Sequence, residues 1–140
     1  MKSGSVDNAL SHLTLSTDEA AFIFNEDWLH VITKKNFRMN RKSMLSLWQK
    51  IGTVCNDKKT RRVLLEFKGK QPSMETTDTY ESAVRASQSV RNFRLAILAD
   101  ESGSQEMESF FKTVMANRGT KCEFFTDRKS ALEWLLSKKG

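Results

Sequence analysis

Phe93 to Ala99 reads FRLAILA, and Arg62 to Phe67 reads RVLLEF. In the first, Leu95, Ala96, Ile97, Leu98 and Ala99 run without a charge; in the second, Val63, Leu64, Leu65 and Phe67 are nearly continuous. A strand open to water on one side alternates apolar and polar residues, so short uninterrupted runs belong to strands covered on both faces. Strands of that kind occupy parallel sheets flanked by helices.

The flanking sequence has the matching helices. Behind Asn40, a fitting N-cap, Met44, Leu45, Leu47, Trp48, Ile51, Val54 and Cys55 recur at three- and four-residue spacing, and Asn56 and Asp57 are expected to end that helix. Tyr80, Ala83, Val84 and Val90 give a weaker stripe, with Asp78 and Glu81 fitting a capping box. Ser102 and Gln105 fit another, ahead of Met107, Phe110, Phe111, Val114 and Met115, and Gly119 stands where a glycine stops a helix. KCEFFT, 121–126, reads as the last strand. Ala131, Leu132, Trp134, Leu135 and Leu136 read as the last helix, behind the cap residues Thr126 and Asp127.

Upstream, Ala21 to Asn25 and Trp28 to Thr33 (WLHVIT) are apolar segments separated by Glu26 and Asp27, which predicts a β-hairpin whose turn lacks the usual Gly. The order is β-β-α-β-α-β-α-β-α. It predicts an α/β fold with about five strands in a mostly parallel sheet, the first strand antiparallel, and right-handed crossovers. Residues 1–17 are small and polar and read as a flexible arm, leaving 18–140 as a single domain.

Composition limits the function classes. The chain has 140 residues, 39% hydrophobic and 29% charged, which is enough for one globular core. No apolar run reaches membrane-spanning length, and Met1 to Ser16 lack the apolar stretch of a secretory signal. Two cysteines, Cys55 and Cys122, make no disulfide framework and read as packing residues, so a cytoplasmic location is expected. Lys and Arg number 23 against 17 Asp and Glu, a net charge of +6, which favours acidic partners, although solubility alone accounts for such a balance.

The ending carries a family resemblance. FRLAILAD, an amphipathic helix, then CEFFTDRKSALEWL with its Ala131, Trp134 and Leu135 pattern, together with the WLHV strand of the hairpin, resembles the SpoIIAA-like superfamily over about residues 19–138. That group includes STAS domains and SEC14-type bacterial proteins of unknown role. The resemblance implies a non-enzymatic regulatory or binding module. Such a module acts through protein contacts, a homo-oligomer included, or through a bound small anionic or lipid-like ligand. STAS antagonists carry an Asp-Ser-x-Gly-type motif with a phosphorylated Ser after the central strand. Here that stretch is Phe67 to Ser73, FKGKQPS, with no Asp-Ser pair, so the phosphorylation switch is not carried over.

Catalytic and cofactor motifs are not found in the sequence. There is no GxGxxG, P-loop, GxSxG, CxxC or HxxxH, and no cofactor or metal is expected. His12 lies in the arm. His30 reads as a half-buried strand residue beside Trp28 and Val31. In a parallel α/β sheet the strand C-termini and helix N-termini share one rim, where ligands bind. Lys34, Lys35, Arg38, Arg41, Lys42, Lys68, Lys70, Ser73, Thr76 and Thr77 belong to that rim and form the candidate anion or partner site. Lys58, Lys59, Arg61, Arg62, Arg91, Arg94, Arg118 and Lys121 belong to the opposite rim, where cations complement helix C-termini. Binding of nucleic acid or an anionic surface through the two rims is the first alternative function, and a small enzyme without a recognisable motif is the second.

Overall fold

A computed structural model describes residues 13–68, 76–99 and 105–137. One six-stranded sheet runs in chain order: β1 (Leu13–Ser16), β2 (Ala20–Asn25), β3 (Trp28–Thr33), β4 (Arg62–Phe67), β5 (Arg94–Ala99) and β6 (Lys121–Phe125). β1, β2 and β3 pair antiparallel, and β3 to β6 pair parallel. Four helices lie between and after them: α1 (Arg41–Lys58), α2 (Thr76–Ser89), α3 (Gln105–Ala116) and α4 (Arg128–Leu135).

The sheet has one strand more than expected, because Leu13–Ser16 pairs with β2 inside the stretch read as an arm. LTLS is too short for its alternation to stand out, and its register slips between Leu13 and Leu15, so only pairing with a neighbour defines it. The expected hairpin forms with Asn25 opposite Trp28. Glu26 takes φ 56°, the left-handed region, at the turn position where Gly is common.

Register sorts the residues between two faces. On the front, Leu29 and Val31 stand beside Val63 and Leu65, which stand beside Leu95 and Ile97. These pack with Met44, Leu47, Trp48, Ile51, Val54 and Cys55 of α1, Ala83 and Ala86 of α2, and Phe111 and Met115 of α3. On the back, Leu64, Ala96 and Leu98 meet Ala131 and Leu135 of α4, with Trp28, Phe125 and Trp134 around them. Thus β4 and β5 are covered on both faces, as their uninterrupted runs required.

Local sequence sets the helix ends. Asn40 caps α1 through its side chain to the Ser43 N–H, and the Ser43 hydroxyl answers at the Asn40 N–H. α1 runs past Asn56 and Asp57 to Lys58 and ends on Lys59 at φ 57°, whose N–H donates to the Cys55 carbonyl. Asp78 lies within α2 rather than at its cap, and Glu81 pairs with Arg41 instead of closing a capping box. Ser102 lies outside the described residues. After α3, Gly119 takes φ 84°, and a side chain there would collide with Asn92.

Candidate functional site: the strand-end rim and a buried carboxylate

β3 and β4 run parallel, so Lys34 and Lys35 after one and Lys68 after the other leave the sheet at the same edge. The Lys68 N–H donates to Thr33 Oγ1 at 2.9 Å, tying the two strand ends together. Arg41 and Lys42 open α1, and Thr76 and Thr77 open α2. Lys70 and Ser73 lie outside the described residues.

The side chains of that rim diverge. Lys34 donates to Ser16 Oγ at 2.7 Å, toward β1. Arg41 crosses to Glu81 of α2. Lys68 turns to the back of the sheet, its Nζ 3.3 Å from Glu66 Oε2. Lys35, Arg38 and Lys42 are exposed and make no side-chain ion pair among the described residues. They flank an α1 N-terminus with no acidic residue in its first turn. The positive end of the helix dipole therefore adds to their charge instead of being offset.

A second constellation is on the back face. Glu66 stands in the middle of the sheet and is 7% exposed. Its Oε1 is 2.9 Å from His30 Nε2 on β3 and 2.9 Å from an Arg128 terminal nitrogen, which also reaches Oε2 at 3.0 Å. Burial pushes the Glu66 carboxyl up, but hydrogen bonds from His30, Arg128 and Lys68 outweigh it and hold it below the usual carboxylate range. Burial lowers His30 despite Glu66 beside it, with Arg128 and Lys68 acting in the same direction as burial. With Glu66 ionised and His30 neutral, the imidazole nitrogen facing it carries the proton. His30 is more buried than the sequence suggested, 9% exposed, with its ring 5.7 Å from that of Trp28.

The sequence held only a faint trace of this cluster, a lone Glu in the apolar run RVLLEF. His30, Glu66 and Arg128 are scattered along the chain, and only strand register and the docking of α4 bring them together. Both oxygens of Glu66 are engaged by neighbours, so the cluster is built to be satisfied internally.

On the opposite edge two of the cations, Arg94 and Arg62, have structural partners. Arg94 donates through Nε and a terminal nitrogen to the Trp134 carbonyl, at 3.0 and 2.8 Å, and lies 4.2 Å over the Trp134 ring. Arg62 donates to the Leu135 carbonyl at 3.1 Å. These two close the last turn of α4, where free carbonyls and the negative dipole end attract cations. Cys55 and Cys122 are both buried, and burial pushes the Cys55 thiol up to about 12, far from a reactive thiolate. Among the described residues no three of His, Cys, Asp and Glu converge on one point, and no helix is long and apolar enough to cross a membrane.

No family model matches the chain, and no curated protein is significantly similar to it in sequence. Among solved structures, the chain is similar to an uncharacterised protein of the DUF3478 family from Shewanella loihica, described as having a SpoIIAA-like fold. The match has a TM-score of 0.50 and 14% identity, covering 87% of this chain and 99% of the other. Identity that low speaks for the fold alone. The antiparallel start, the four parallel strands and the helices on both faces agree with it, and the chain has a SpoIIAA-like fold.

Proposed function

We propose that the chain is a non-enzymatic binding module that takes an anionic ligand or an acidic patch of a partner at its strand-end rim. The observation that carries this reading is the group Lys35, Arg38 and Lys42, exposed and unpaired among the described residues beside an α1 N-terminus without an acid. Cations complement a helix C-terminus and oppose an N-terminus, so their presence here does nothing for the stability of α1. An anion would be met by both the side chains and the free N–H groups of the helix end. Arg62, Arg94 and Arg128, by contrast, are spent on α4 carbonyls and on Glu66.

Binding is favoured over catalysis by the state of the buried dyad. A His oriented by a carboxylate is a common proton-transfer pair, but here Glu66 is saturated by Arg128 and Lys68 and the imidazole is enclosed. It fits a fixed strut between β3, β4 and α4 better than a group that exchanges protons with a substrate.

The test is binding of a short polyglutamate peptide at low and high salt, read by fluorescence anisotropy or amide chemical shifts. The wild type is expected to bind at low salt and release as salt rises, and the triple variant Lys35→Ser, Arg38→Ser, Lys42→Ser is expected to lose most of that binding while melting normally. Equal binding by the variant would contradict the reading. Native mass spectrometry of protein taken from its own host extends the test, because a retained small anion would name the ligand class directly.

A further inference from the structure

The surface between α1 and α2 has a shape of its own. The two helices touch at Gly52, where an added Cβ would stand 2.9 Å from the Ser89 carbonyl oxygen. Elsewhere along this seam, Leu45 of α1 and Tyr80 and Val84 of α2 line a groove of about 280 Å³, with Arg41, Glu81 and Arg85 around it. Tyr80 is 51% exposed, more than any other large apolar side chain among the described residues. Its ring lies 5.9 Å from that of Phe110 on α3, tilted 35° against it. A large, pre-positioned aromatic that loses little freedom on contact, next to arginines, has the composition of an interface anchor.

Size and charge narrow the occupant. Sites for small molecules run to about 300–1,000 Å³ and enclose most of the ligand. This groove lies at the bottom of that range and is open along the seam between the two helices, a shape that suits inserted side chains. With Arg41 paired to Glu81, Arg85 is the remaining charge in its lining; Lys42 follows Arg41 in the first turn of α1, and Arg38 precedes that turn by three residues. A second copy of the chain, with the same net charge of +6, would be repelled.

We propose that this groove receives an acidic amphipathic segment of another protein, with an apolar side chain seated between Leu45, Tyr80 and Val84 and carboxylates on Arg85, Lys42 and Arg38. The proposal rests on reading the rim as a site for acidic partners, and it names the partner's chemistry and the apolar half of the contact. Arg41 stays bound to Glu81 and frames the groove at one side.

The experiment is selection of a random peptide display library on the intact chain at low salt, followed by affinity measurements on the synthesised winners. The expected winners carry Asp or Glu around Leu, Phe or Met at helical spacing. Tyr80→Ala and Arg85→Glu should each weaken them on the order of tenfold, with unchanged circular dichroism and melting. Both positions are exposed, so these variants should fold. Acidic winners that ignore Tyr80→Ala but need Lys35, Arg38 and Lys42 would overturn the groove while leaving the rim reading standing. Apolar winners without acids would overturn the acidic partner. Anionic lipid vesicles that bind through Tyr80 would assign the groove to a membrane surface and overturn a protein segment. No winners at all, with no polyglutamate binding, would overturn both readings.

Discussion

On the front of the sheet, Leu47, Trp48 and Ile51 of α1 are wholly buried among apolar side chains. On the back, the eight-residue α4 reaches the sheet mainly through Ala131 and Leu135 and is tied down at both ends by arginines. Three helices bury a broad apolar surface on one side, and one short helix with little to bury is held by charge on the other. The difference separates two kinds of cation. Arg62, Arg94 and Arg128 are committed to carbonyls and to Glu66, whereas Lys35, Arg38 and Lys42 are exposed, make no side-chain ion pair among the described residues, and are the cations that the proposed function gives to a ligand. Losses in the first group should appear as stability, and losses in the second as binding.

The largest effect should come from the front. Trp48 is fully buried, stacks 6.0 Å from Phe111 and donates from Nε1 to Ser82 Oγ at 3.1 Å. Trp48→Ala is expected to cost about 4 kcal/mol in denaturant unfolding. On the back, Glu66→Ala should cost about 2 kcal/mol, because it leaves the buried His30 N–H without its acceptor. A loss below about 1 kcal/mol would mean that the cluster is not a strut.

The same cluster sets an acid limit. His30 titrates below its ordinary 6.5 and Glu66 below its ordinary 4.5. Both shifts mean that the unfolded chain takes up protons more readily than the folded one, so stability is full above these values and falls with pH. The loss begins as pH drops below about 6.5, through His30, and steepens below about 4.5 through Glu66. In a urea titration across pH, His30→Gln should remove the first step and Glu66→Gln the second. A wild-type curve that stays flat from neutral pH to below 4.5 would contradict this account of the pair.

Most of the front half was legible in the sequence. Trp48, Ile51 and Cys55 recur at helical spacing, and a local pattern needs no knowledge of what lies opposite. RVLLEF and FRLAILA announced strands covered twice, and they are. The rest depends on partners distant in sequence. β1 is defined by β2, the Asp78 and Glu81 spacing fitted a cap that forms elsewhere, and the burial of Glu66 follows from three elements meeting over one residue. The basic groups could be listed from the sequence, but which cations already had partners could not. That sorting needed the positions of Ser16, Glu66 and Glu81.

Smaller effects sharpen the contrast. Arg94→Ala removes two hydrogen bonds to the end of α4 and the contact over Trp134, and should cost about 1.5 kcal/mol without changing polyglutamate binding. A thermal melt beside an anisotropy titration reads both. Glu26→Gly, at a left-handed turn position away from both regions, should stabilise by about 0.5 kcal/mol. A destabilisation there would show that the Glu26 side chain contributes more than its backbone strain removes.

The most direct test pairs two variants on two readouts: the rim triple variant Lys35→Ser, Arg38→Ser, Lys42→Ser, and Arg128→Ala on the back. Each is measured for urea unfolding and for salt-dependent polyglutamate binding. The rim variant should keep its stability and lose its binding, and Arg128→Ala should lose about 1 kcal/mol and keep its binding, since that side chain is half exposed. If the rim variant instead unfolds more easily and still binds, the assignment of structural and ligand-binding cations is wrong.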